Sequence, residues 1–91
     1  MERKVLNYRV IIEPEKYPNG ETAYNAYCPT LGVADYGDSV EEVLKSIKEG
    51  ILLAIEALAK HREEIPTDNI EEQILASTKV SIPLNLKPVF V

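Results

Sequence analysis

The segment that most constrains the fold is a long amphipathic helix predicted over residues 39 to about 63. One stripe of a helix packs against one apolar surface, and 91 residues provide a single domain. We therefore expect this helix to lie across a small sheet built from the residues that precede it. The apolar residues of the stripe, at helical spacing, are Val40, Val43, Leu44, Ile47, Ile51, Ala54, Ile55 and Leu58.

A capping pattern marks the start of this helix. Ser39 is the expected N-cap residue, and Glu42 follows three positions later, which is the spacing of a capping box. Asp38 adds negative charge near the positive end of the helix dipole, and Gly37 suits a chain that reverses direction. We predict a structural role for Asp38, Ser39 and Glu42.

Three strands are predicted before the helix, over residues 5–13, 22–28 and 33–36. Pro14 and the Pro18-Asn19-Gly20 cluster are expected to end the first strand and to form a hairpin connection. The predicted core joins one face of this sheet to the helix stripe. Its members are Val10, Ile12, Tyr24, Ala26, Val43, Leu44, Ile47, Ile51, Ile55 and Leu58.

Further elements are predicted after the helix, which ends before Ile65-Pro66. Asp68 or Asn69 is placed to cap a short helix. Residues 78–82 read as a fourth strand with Val80 and Ile82 inward, and residues 84–91 as an extended tail.

Composition limits the classes of partner. The net charge of −5 and pI of about 4.8 argue against direct binding to nucleic acid and are compatible with a basic protein partner. No apolar run is long enough for a membrane span. The first residues do not resemble a signal peptide, and a single cysteine cannot form an internal disulfide. We expect a cytoplasmic protein.

The residues that could carry chemistry are few. His61 has no partner pattern for general base catalysis and is expected at the surface. Cys28 is expected in the core. Glu13, Asp35 and Asp38 could approach one another at strand ends, but solvated turns and a cap are the favoured roles. We expect no enzyme activity, no cofactor and no metal.

Two surfaces are candidates for partner or dimer contacts. One is the second face of the sheet, with Ile11, Asn25 and Tyr27. The other is a second side of the helix, where Gly50 beside Leu53 allows close approach by another element. Gly50 could equally be an incidental surface residue. We expect a homodimer or homotetramer.

Short motifs distributed between residues 6 and 82 recur together in a known family. They are Tyr24-x-Ala26-x-Cys28-Pro29, Leu31-Gly32, Gly37-Asp38-Ser39, Glu41-Glu42 and Ile65-Pro66. This combination resembles the HicB antitoxin family in its short, single-domain form. Leu31-Gly32 stands where the family often has Leu-Pro-Gly, and Val43 where it often has alanine.

The resemblance implies an α+β fold, a truncated RNase H-like (HicB-like) domain. It would contain an antiparallel three-stranded meander, one long helix across the sheet and a further C-terminal strand. In the family this domain lacks the nuclease carboxylates, and many members add a C-terminal DNA-binding domain. We expect a single HicB-like domain over residues 1–91 without that addition.

The resemblance also implies a function. Family members typically neutralise a small basic toxin that cleaves mRNA. The expected function is thus an antitoxin-like module that masks the RNA-binding surface of a HicA-type toxin. The alternative is a solitary dimeric HicB-like domain that binds a small ligand or another protein and has no toxin partner.

Overall fold

The computed structural model describes residues 2–90, apart from the side chain of Ile70. Within these residues the order is β1 (Ile11–Lys16), β2 (Thr22–Cys28), β3 (Val33–Gly37) and α1 (Val40–Lys60). Single turns of 3-10 helix follow at Ile70–Glu72 and Leu84–Leu86. The expected α+β arrangement of three antiparallel strands and one long helix is confirmed.

The sheet is a meander in the order β1-β2-β3. Ile12 of β1 lies opposite Ala26 of β2, and Ala26 lies opposite Asp35 of β3. Both connections use a glycine in the left-handed region, Gly20 at φ +89° and Gly32 at φ +68°. Side chains other than glycine rarely adopt this conformation, so the glycines keep the connections short and each strand pairs with the next.

The first strand is displaced from its predicted position. β1 begins at Ile11 and continues through Pro14 to Lys16, so the prediction that Pro14 ends the strand is wrong. β1 lies at the edge of the sheet, where a residue without an N–H group is tolerated. Residues 5–10 are not part of the ladder. The register would place Cys28, the last residue of β2, opposite Val10, so residues 5–9 have no residue of β2 opposite them.

The core lies between α1 and one face of the sheet. Its fully buried members are Ala26 and Cys28 of β2 and Val43 and Ile47 of α1. Partly buried side chains surround them, namely Tyr8, Val10, Ile12, Tyr24, Leu31, Val33 and Ile51. This agrees with the predicted match between an alternating strand face and a helical stripe.

Three predicted core residues lie outside this core. Ile55 and Leu58, in the second half of α1, are partly buried but do not belong to the set of side chains packed against the buried residues. The side chain of Leu44 is 44% exposed. The helix packs mainly on β3 and β2, so the part of its apolar stripe that points towards β1 has no strand beneath it. Leu44 lies there and faces residues 6–10 across an open groove.

The predicted fourth strand is not formed. Residues 78–82 have no strand pairing in the described part of the chain, and Val80 is 75% exposed. The alternating pattern needs a neighbouring strand, and none lies beside this segment. The chain is elongated as a result, since its radius of gyration is 18.1 Å where a compact domain of this length has about 12 Å.

Candidate functional site

One face of the sheet is covered by α1 and the other is open. Residues paired across antiparallel strands share a face, and the pairs Ile11–Tyr27 and Tyr27–Ala34 lie on the side opposite the core. We call this surface the open face. By register its members are Ile11, Glu13, Glu15, Ala23, Asn25, Tyr27, Ala34 and Tyr36.

Aromatic and aliphatic side chains form the apolar part of the open face. Tyr36 is 73% exposed, and Ile11 and Tyr27 each expose more than a third of their surface. A shallow depression of about 410 Å³ lies among Ile11, Tyr27 and Ala34 and is bordered by Glu13 and Asn25. Tyrosines with an exposed ring and a polar hydroxyl are favoured at protein interfaces.

The charge on the open face is negative. Asn25 donates a hydrogen bond from Nδ2 to Oε2 of Glu15 at 3.0 Å, which orients this carboxylate beside the depression. Glu13 lies opposite Asn25 in the register. The lysine of β1, Lys16, is paired with Thr22 and belongs to the other face. An apolar centre with an acidic border suits a partner that carries basic side chains.

The predicted contact residues divide into two groups. Ile11, Asn25 and Tyr27 lie together on the open face. Gly50 lies elsewhere, because a Cβ atom added to it would be 3.1 Å from Cγ1 of Val33. The close approach expected at Gly50 is therefore made by β3 of the same chain, and its assignment as a partner contact is corrected. Leu53, on α1, is exposed and remote from the open face.

Sequence reasoning missed Tyr36, Ala34 and the two glutamates of the open face. Tyr36 joins Asn25 because β2 and β3 pair in this register. A strand as short as β3 gives only a weak alternation signal, and a sequence contains no direct record of register. The alternation that includes Ile11 already assigns Glu13 to the same face, and continuing it past Pro14 would have added Glu15.

The helix start is built as a cap. Ser39 has extended backbone angles, φ −143° and ψ 163°, and its Oγ accepts a hydrogen bond from the backbone N–H of Glu42 at 3.1 Å. Oε2 of Glu42 accepts from the backbone N–H of Asp38 at 3.0 Å. Glu42 thus bonds one residue before the N-cap, whereas the usual capping box uses the N-cap amide.

Asp35 is a carboxylate at the contact between β3 and α1. It lies opposite Ala26 and therefore on the helix side of the sheet. Its Oδ2 accepts a hydrogen bond from Oγ of Ser46, and its Oδ1 accepts from the backbone N–H of Tyr36 at 2.8 Å. The Ser46 bond, followed by the Tyr36 bond, holds the pKa of Asp35 below its ordinary value of 3.8.

The residues considered for chemistry are not brought together. Cys28 is fully buried, and His61 is the C-cap residue of α1. Glu13 and Asp35 lie on opposite faces of the sheet. Among residues 2–90 no group of three His, Cys, Asp or Glu side chains is arranged to hold a metal ion. Nor is any helix in the described chain both long enough and apolar enough to cross a bilayer.

The fold and the open face define a class of protein, a small α+β domain in which one helix covers a three-stranded meander and leaves an acidic, aromatic sheet face exposed. The chain is 40% identical over 68 residues to UPF0150 protein Ta0767 of Thermoplasma acidophilum. The alignment covers 74% of this chain and 93% of that protein. The chain belongs to the UPF0150 family. No family model and no solved structure matches it.

Proposed function

We propose that this chain is an antitoxin-like module of the HicB type, which binds a small basic mRNA-cleaving toxin and masks its RNA-binding surface. The observation that carries the proposal is the open face, where exposed tyrosines and glutamates lie together on one side of the sheet. The motif resemblance between residues 6 and 82 supplies the identity of the partner.

The physical basis of binding would be shared between two kinds of side chain. Tyr27 and Tyr36 offer large rings that lose little conformational entropy when a partner covers them. Glu13 and Glu15 would attract a cationic toxin, and such steering raises the association rate and makes it sensitive to salt. The overall charge of −5 acts in the same direction.

The proposed mechanism asks no chemistry of this chain. A nuclease of the RNase H type needs carboxylates that converge on metal ions. Glu13 and Asp35 point to opposite faces, and Asp35 is bonded to Ser46, which supports a binding role for a degenerate RNase H-like domain. We also propose that the protein is cytoplasmic, assembles as a homodimer or homotetramer, and does not bind nucleic acid directly.

A second candidate function is a solitary dimeric domain that binds a small ligand or another protein. The observation that favours it is an apolar groove of about 340 Å³ between residues 6–10 and α1. Leu6, Val10, Leu44 and Ile51 are among its lining residues. Grooves with apolar walls and few polar groups are where small ligands commonly bind.

The test is co-expression with any small basic protein encoded beside this one, followed by pull-down and a growth assay. We expect a stable complex and relief of toxicity. Glu13→Lys with Glu15→Lys should weaken the complex at least tenfold, because both charges on the open face are reversed. The matched control is Glu49→Lys with Glu56→Lys, the same charge change on exposed positions of α1. Persistent toxicity, or equal losses from both pairs, would contradict the proposal.

A further inference from the structure

The C-terminal segment, residues 74–90, exposes an unusual amount of apolar surface. Leu75 is fully exposed, and Val89 is 92% exposed. Other large apolar side chains in the segment are similarly open, namely Ile74, Val80, Leu84, Leu86 and Phe90. Soluble proteins rarely leave such surface in water, and where they do it usually marks an interface. In the single chain, over residues 2–90, these apolar side chains are therefore left without a covering surface.

A receptive surface exists on the same molecule. The apolar groove beside α1 has Leu6, Tyr8 and Val10 on one wall and Leu44 and Ile51 on the other. It continues past Val5, Leu52 and Ile55 into a wider opening of about 490 Å³. The groove is open because the helix covers β2 and β3 and leaves the side of β1 uncovered. We call it the β1-side groove.

Residues 5–10 run along this groove without a strand partner in the described chain, and one of their backbone groups is bonded to a side chain of the same chain. The backbone N–H of Arg9 donates to Oδ2 of Asp68 at 2.9 Å, so it is not engaged in a ladder. Nη1 of Arg9 donates to Oε1 of Gln73 at 3.1 Å, and the Tyr8 hydroxyl donates to the Pro66 carbonyl at 2.7 Å. These bonds anchor the chain as far as Gln73, immediately before the exposed segment begins.

The tail and the groove are both uncovered within one chain. Beyond Gln73 the tail leads away from the domain, and the molecule measures 62 × 36 × 22 Å. A second copy presents the same groove and the same tail. If two copies related by a two-fold axis exchanged their tails, each tail would cover the groove of the other copy. The assembly would then stop at two chains.

We propose that residues 78–82 of a second copy form a fourth strand beside residues 5–10, with Val80 and Ile82 in the β1-side groove. Ser77, Lys79 and Ser81 alternate onto the other face, which matches a strand with one buried side. Strand addition to an unpaired edge is a recurring mode of association. The exchange is independent of toxin binding, because the groove and the open face lie on opposite sides of the sheet.

The first experiment measures mass by analytical ultracentrifugation over a dilution series. We expect the protein to have twice its chain mass of 10.2 kDa. Val80→Asp with Ile82→Asp should give monomers, since two charges would enter the groove. The matched control, Ser77→Asp with Ser81→Asp, adds the same charge to the outward face and should stay dimeric. A monomeric wild type, or a dimer unaffected by Val80→Asp with Ile82→Asp, would overturn the proposal.

The second experiment locates the contact and does not depend on how the charged variants fold. A Leu6→Cys chain and a Val80→Cys chain are mixed and oxidised, and we expect a disulfide between the two chains. The unmodified protein is the control, because its own Cys28 is buried. A third protein carries both Leu6→Cys and Val80→Cys in one chain. If its disulfide forms only within that chain, the tail folds back on its own groove and exchange is excluded.

Discussion

The hydroxyl of Ser46 on α1 donates a hydrogen bond to the carboxylate of Asp35 on β3. Gly50 lies one turn further along the helix and contacts Val33 of the same strand. The two contacts fix the position of α1 along β3, one by a polar bond and the other by close packing. They explain why the helix covers the β2–β3 side of the sheet.

The bond to Ser46 makes stability depend on pH. Because the pKa of Asp35 is lowered in the folded state, first by Ser46 and then by the Tyr36 amide, its stabilisation is complete above the ordinary value of 3.8 and is lost as the pH falls through the folded value. Ser46→Ala should therefore reduce stability at pH 7 and flatten its decline in acid. Urea unfolding between neutral and acidic pH measures this, with Ser81→Ala as the control. Parallel pH profiles for all three proteins would contradict the assignment.

Ile47 should carry a large part of the core energy. It is one of the largest fully buried side chains, and truncation of such a residue costs about 2–5 kcal/mol. Ile47→Ala should lower the free energy of unfolding by that amount in chemical denaturation. Leu53→Ala, at an exposed position of the same helix, should change it by less than about 0.5 kcal/mol. Similar losses in the two variants would refute the packing described for α1.

Removing the cap of α1 should destabilise the fold. Ser39→Ala deprives the Glu42 amide of its acceptor, and a lost N-cap costs about 0.5–2 kcal/mol. Ser39→Asp keeps an acceptor oxygen and should retain most of the stability. Thermal or urea unfolding of the two variants gives the comparison. If alanine and aspartate behave alike, the hydroxyl of Ser39 does not act as a cap.

The contact between Gly50 and Val33 should appear as coupling between two substitutions. Gly50→Ala favours the helix by about 1 kcal/mol, but the new methyl group would lie 3.1 Å from Cγ1 of Val33. The gain should be small in the wild type and larger in a Val33→Ala background. A double-mutant cycle of unfolding free energies measures the difference. Equal gains in both backgrounds would mean that Gly50 does not touch β3.

The parts of the fold that local chemistry determines could be predicted from the sequence. The cap at Ser39 and the strand from Thr22 to Cys28 depend on residues close by in the sequence, so the sequence pattern predicts both. The exposure of Leu44 could not be predicted, because it depends on which strands the helix covers. The sequence predicts a strand end at Pro14, but β1 lies at the edge of the sheet, which the sequence does not show.

The candidate site was predictable to a similar degree. The alternation of β2 placed Asn25 and Tyr27 on one face. Tyr36 required the register between β2 and β3, which depends on the turn at Gly32. The segment at residues 78–82 has a genuine strand pattern, but a pattern describes what a segment needs and not where its partner is found. In the described part of the single chain no strand lies beside residues 78–82, and the side chains of Val80 and Ile82 are therefore exposed.

The order of the elements has a kinetic consequence. β1 pairs with β2, β2 pairs with β3, and α1 packs most heavily on β3. Each element therefore contacts the element that precedes it in the sequence. Contacts between near neighbours in sequence close small loops, and such topologies fold fast. In the part of the chain that the structure describes, the fully buried residues all precede Lys60. During synthesis the core can therefore assemble in the order of translation, while the last third of the chain is still being added.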